Sequence, residues 1–116
     1  MPERYSLAFE HALPGLPQQL PLPELSAECR HLEHQLELHG HRALRTYLQS
    51  DTGTPQAWRS VEDARTLLAN LREAVQADPK SFNTAQGLLE ESHVAQEQIE
   101  LAAHHGAGWR LVLTTH

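Results

Sequence analysis

The nine histidines are the side chains of this sequence best equipped for chemistry, as acid–base groups or as metal ligands. His31 and His34 stand three apart, and His39 and His41 follow, with Glu37 between the two pairs. On a helical projection His34 and His41 point away from the apolar side, beside Arg30 and Arg45. Seven residues separate these two by about 10.5 Å along a helix axis. Zinc–nitrogen bonds are about 2 Å long, so they cannot share one ion. His31 and His34 supply two ligands at most. Neither an HExxH pair nor the Cys/His spacing of a zinc finger occurs. His104, His105 and His116 add imidazoles without a companion set. The histidines therefore read as a solvated polar face, and no metal is expected.

Other reactive groups give less. Glu33, Glu37 and His41 are i,i+4 neighbours, an ordinary surface arrangement. Glu62-Asp63 and Glu90-Glu91 lie in helical stretches rich in opposite charge. A carboxylate pair hydrolyses a bond only when both acids converge in a cleft, and nothing in the pattern converges them. The chain has no Gly-rich phosphate loop, and its serines lack a nucleophile elbow. Cys29, the single cysteine, falls on an apolar stripe and reads as a small buried hydrophobe. It cannot form an intramolecular disulfide, which fits a reducing cytoplasm. Neither enzyme activity nor a cofactor is expected.

Three amphipathic stretches are the clearest structural signal. Leu25, Cys29, Leu32, Leu36, Ala43 and Tyr47 fall within about 40° of one line at 100° per residue. Ala57, Val61, Ala64, Leu68, Leu71 and Val75 form a second seam, and Ala85, Leu88, Ala95, Ile99 and Ala102 a third. The first helix is expected from Pro23 or Ser26 to about Gln49, with Gly40 as a kink or a close helix approach. Ser50–Thr54 reads as a turn. The second helix starts either at Thr54-Pro55 or at the cap-like pair Ser60 and Asp63, and stops at Asp78-Pro79. The third runs from about Ser81–Thr84 to His105, where Gly106-Ala107-Gly108 ends it.

The flanks differ. Tyr5, Leu7 and Phe9 alternate as in a short strand. Residues 14–23 hold four prolines interleaved with leucines, which favours an extended arm lying over the helices. Trp109, Leu111 and Leu113 alternate with Arg110, Val112 and Thr114 in a strand-like tail. The expected fold is mainly α: a small three-helix bundle with an extended Pro-rich N-terminal arm and a short C-terminal strand. One domain spans 1–116, with the arm at 1–23, the bundle at 24–105 and the tail at 109–114. Whether the tail pairs within or between chains stays open at this level.

Composition bounds the partners. The 116 residues suffice for one domain. Net charge is −6, and Lys80 is the only lysine, so phosphate neutralisation has no basic cluster to work with. Nucleic acid is not an expected partner, nor is an anionic membrane surface. Apolar runs fall far short of the roughly 20 residues that span a bilayer. The start MPERYSLAFEHALPG lacks the charge and apolar core of a signal peptide, so a cytoplasmic location is expected. Arginine outnumbers lysine eight to one, a bias of GC-rich bacterial coding sequences.

The run HGHRALRTYLQSDTGTPQAWRSVEDARTLLANLREAVQADP at 39–79, with the overall length, resembles the quorum-sensing anti-activators of Pseudomonas. That resemblance implies a small, mainly helical regulator. It would bind a LuxR-type acyl-homoserine-lactone receptor of the LasR kind and block its dimerisation and DNA binding. The alternative is an acidic secretion-type chaperone or another small helical adaptor.

Apolar residues off the seams are the candidate partner-binding anchors. Val94 and Leu101 are seven apart and point more than about 100° from the third seam, with Gly87 on the same line. Leu44 and Leu48 flank the first seam. Trp109, Leu111 and Leu113 form an alternative patch. So much apolar helix surface on a small chain also favours a homodimer. Purified protein is expected to give no gel shift with DNA even at low salt. Its circular dichroism should not change on adding a strong chelator.

Overall fold

The computed structural model describes residues 3–48 and 58–115. The fold is mainly helical with a small three-stranded sheet. β1 (Glu3–Phe9) leads through a loop to β2 (Gln19–Pro21), then α1 (Pro23–Leu38) and the short α2 (Leu44–Leu48). α3 (Val61–Ala77) and α4 (Ala85–His104) form an antiparallel pair joined by a 3-10 turn at Pro79–Ser81. β3 (Trp109–Thr115) closes the chain. The sheet order is β2-β1-β3, antiparallel throughout, with Leu7 opposite both Leu20 and Leu111. The tail therefore pairs with β1 of its own chain.

The expected three helices become four among the described residues. The physical reason is Gly40. Its φ of 72° is open to glycine and strained for other residues. The amide of His41 donates to the Leu36 carbonyl and that of Gly40 to Glu37, the paired bonds that terminate a helix. Among the described residues a Cβ at Gly40 would meet nothing within 4 Å, so none of the described helices approaches it closely. Gly40 ends α1 rather than kinking it. Gly106, at φ 77°, ends α4 with the same bond pair, from Ala107 to Ala102 and from Gly106 to Ala103.

The break resets the helical phase. In α2 it is Leu44 and Tyr47 that are buried, while Ala43 is only half-buried. The second helix starts at the later of its two expected positions: Ser60 accepts from the Asp63 amide at 3.3 Å and α3 begins at Val61. Gln49, the 50–54 turn, the Thr54-Pro55 start, Ala57 and His116 lie outside the described residues.

Residues 14–23 are not a uniformly extended arm. The chain reverses after β1, and Gln19–Pro21 returns as a strand paired with Ser6–Ala8. Leu13, Leu16 and Leu20 pack on the core and Leu22 is buried in it, which accounts for the leucines between the prolines. One face of the sheet, Tyr5, Leu7, Phe9, Trp109 and Leu111, is buried. β1 rests on α1 and α4, β3 on α2, and α1, α3 and α4 pack against one another.

Two carboxylates, Glu28 buried and Glu91 half-buried, fix how α1 meets α4. Neither helix has a side-chain cap of its own. Glu28 of α1 accepts from the amides of Asn83 and Thr84 and from the Thr84 hydroxyl, the last at 2.8 Å. Glu91 of α4 accepts from the amides of Glu24 and Leu25 at 2.9 and 3.0 Å. Glu91 thus satisfies two orphan donors in the first turn of α1, and Glu28 holds the two amides that lead into α4. Glu28 departs from helical geometry (φ −119°, ψ 18°) at a kink in α1. Glu33, from the same helix, accepts from the Leu44 amide that opens α2. Arg59 closes the far end of α2, donating to the carbonyls of Thr46 and Tyr47.

The two carboxylates titrate with opposite signs. Burial pushes Glu28 up, but the Thr84 hydroxyl, the Asn83 and Thr84 amides and nearby His31 together hold it below its ordinary value. Its stabilisation is complete above the ordinary carboxylate range and is lost as pH falls through the depressed value. Glu91 is pushed up by burial, against the Glu24 and Leu25 amides, with the Glu24 charge adding to the rise. Its ionised form therefore weakens the fold at neutral pH, and protonation relieves this as pH falls. Glu28→Gln is expected to cost about 1–3 kcal/mol at pH 7. It should also flatten the decline in melting temperature below about pH 4. Thermal melts across pH check both.

Candidate protein-binding face

α4, at 20 residues the longest helix described, carries the candidate surface. Its buried stripe is Leu88, Ser92, Ala95, Ile99 and Ala102. Ser92 is tolerated there because its hydroxyl donates to the Leu89 carbonyl at 2.7 Å. Opposite that stripe, Val94 is 47% and Leu101 44% exposed. With Leu38 at 64%, they are the exposed large apolar side chains of the described chain. Seven residues set them about 10.5 Å apart on one side of the helix. Glu90, His93, Glu97 and His104 are the exposed polar residues around them.

Neighbouring elements delimit this face. Arg65 of α3 binds Glu100 and Glu62, and Gln96 donates to Glu100 at 3.1 Å. The Arg65 hydrogen bonds, with Gln96, hold the Glu100 carboxyl below its ordinary range. The side of α4 turned to α3 is thus closed by an ion-pair network. Toward the helix start, the line through Val94 and Leu101 reaches Gly87. That position is covered: a Cβ there would sit 3.0 Å from Cδ of Glu24. Leu38 belongs elsewhere. α1 runs antiparallel to α4, because Glu28 meets Thr84 while Glu24 meets Glu91. Leu38, ten residues past Glu28, lies beyond the start of α4 and away from Leu101.

The remaining expected anchors occupy other positions. Leu44 is fully buried, because the Gly40 break rotates it inward. Trp109 and Leu111 are each 1% exposed; they lie on the sheet face that covers the helices, and the Trp109 indole donates to the Ser60 carbonyl at 2.7 Å. Their apolar surface is already used inside the domain. Leu48 and Leu113 are half-buried against the core. Helical periodicity put Val94 and Leu101 on the side of α4 that is exposed, and nothing in periodicity distinguishes a strand face buried in its own chain from one that awaits a partner.

The histidines disperse. His31 shares a 2.7 Å hydrogen bond with Ser81 and meets the Phe82 ring edge-on at 4.6 Å. His41 lies 3.3 Å from Glu73 without hydrogen-bond geometry. His104 packs against His105. Among the described residues no group of three or more His, Cys, Asp or Glu side chains could hold a metal, and no helix is long and apolar enough to cross a membrane. Cys29 is buried.

Comparison with protein-family models, curated proteins and solved structures returns no match.

The division of α4 into two faces has a measurable consequence. Ile99→Ala, in the buried stripe, should cost about 2–5 kcal/mol. Val94→Ser and Leu101→Ser should each change stability by no more than about 0.5 kcal/mol. Denaturant melts of the three variants separate the faces.

Proposed function

We propose that this protein is a regulatory interaction module without catalytic activity, acting in the cytoplasm. Its partner is a LuxR-type quorum-sensing transcription factor of the LasR kind. In this reading the exposed face of α4 covers the receptor's dimerisation surface, which prevents dimerisation and hence DNA binding. The observation that carries it is the exposure of Val94 and Leu101, one heptad apart, on a helix whose other side is fully packed. An apolar pair rimmed by Glu90, His93, Glu97 and His104 has the form of a helix that enters a groove by two anchors. The choice of receptor rests on the sequence resemblance over 39–79. A chain of net charge −6 with a single lysine would act on the receptor and not on its DNA.

The test is the double variant Val94→Ser/Leu101→Ser, with receptor binding measured by titration calorimetry and folding by circular dichroism. Intact folding with affinity lowered about thirtyfold or more, the effect of losing a central anchor worth about 2 kcal/mol, supports the reading. Unchanged affinity moves the interface off α4. Failure of the unmutated protein to bind any LuxR-type receptor ends the receptor assignment.

A further inference from the structure

The four glutamates of α4 divide by partner. Glu91 holds the Glu24 and Leu25 amides, and Glu100 is held by Arg65 and Gln96. Glu90 and Glu97 are exposed. Glu90 accepts from the Gln86 side-chain amide at 3.2 Å. Among the described residues no hydrogen bond or ion pair reaches the Glu97 carboxylate. Arg65 is already committed to Glu62 and Glu100.

These two carboxylates stand among the apolar anchors, not apart from them. At 100° per residue Glu90, Val94, Glu97 and Leu101 fall within about 60° of arc. A rise of 1.5 Å per residue sets Glu97 about 4.5 Å beyond Val94 and about 6 Å before Leu101. His93 and His104 border this stripe on the side turned to α3. Any surface that covers both apolar side chains therefore covers Glu97 as well. A carboxylate taken from water without a counter-charge is costly, and a cation placed against it offsets that cost. A purely apolar groove thus rejects this face. A second copy of the chain does no better. An antiparallel pair that seats each Val94 against the other copy's Leu101 has its two-fold axis between residues 97 and 98, which brings the two Glu97 carboxylates together. A parallel pair opposes Glu97 with Glu97 and Glu90 with Glu90.

We propose that the α4 face fits a partner protein whose hydrophobic groove carries an arginine or lysine between two apolar pockets, placed to meet Glu97, with further positive charge at the Glu90 end. This role of Glu97 rests on the reading of α4 as the receptor-binding face, and it adds what that face selects. Val94 and Leu101 supply contact area, while Glu97 discriminates against grooves that lack the cation. The net charge of −6 speeds approach to such a groove.

The test titrates the full chain and its variants against the LasR-type receptor. Glu97→Gln should lower affinity about tenfold or more, because the cation in the groove loses its counter-charge. Circular dichroism should be retained, since Glu97 makes no bond within the fold. Unchanged or tighter binding by Glu97→Gln is the result for a groove without a cation, and it overturns the proposal. Val94→Ser/Leu101→Ser, measured alongside, separates the two readings. Affinity lost there but not in Glu97→Gln leaves the α4 interface standing and removes the role of Glu97. Affinity lost in neither, or an unmutated protein that binds no receptor, ends both. Association rates between about 0.05 and 0.5 M salt distinguish a cation from a neutral hydrogen-bond donor. The rate should fall with salt for the unmutated protein and less steeply for Glu90→Gln/Glu97→Gln; an equal slope overturns the cationic groove.

Discussion

Two glutamates, each on one helix and each closing the start of the other, determine how the domain is put together. Glu28 of α1 holds the Asn83 and Thr84 amides that lead into α4, and Glu91 of α4 holds the Glu24 and Leu25 amides in the first turn of α1. A helix N-terminus leaves donors that must find partners when buried. Here the partner of the Glu24 and Leu25 amides comes from α4, so the start of α1 is satisfied only once the two helices dock. The arrangement sets the antiparallel register of α1 against α4. It thereby decides which side of α4 packs inward and which faces out. Tyr5 extends the same tie to the sheet, since its amide donates to Ser26 in the first turn of α1 at 2.8 Å.

α1 acts as the hub of these polar ties. Glu28, Glu33 and Ser26 serve α4, α2 and β1 in turn, while the apolar side of the helix, Leu25, Cys29, Leu32 and Leu36, enters the core. A second polar clamp, Arg59, joins the end of α2 to the start of α3 and lies over the Tyr47 ring at 5.2 Å. With so few aromatics, a small domain gains specificity from such directional bonds more than from core bulk. Glu33 and Glu91, which read in the sequence as ordinary surface acids, are here structural ones.

What stands exposed after this assembly is modest. Among the described residues, α4 presents two large apolar side chains, Val94 and Leu101, among polar ones. That form is the one proposed to enter a partner's hydrophobic groove.

Periodicity alone located α4, its buried stripe and the outward line of Val94 and Leu101, because a helix without a break keeps its phase over its whole length. It also located β1 and β3 and their inner faces, since alternation needs no tertiary knowledge. It failed where a local event reset the phase: the positive φ of Gly40 ended α1, and Leu44 rather than Ala43 turned inward. It could not show that the Pro-rich stretch would return as β2, because that depends on a hydrogen-bonding partner, β1, supplied by another segment. Nor could it show that Trp109 and Leu111 would be covered by their own chain's helices, or that Glu28 and Glu91 would be caps. The sequence by itself determined the helical content, the amphipathic faces, the acidic charge and the strand-forming ends, all of them properties of neighbouring residues. Which polar groups became caps and which apolar residues stayed exposed were decided only by tertiary structure, because each depends on what a distant segment brings alongside.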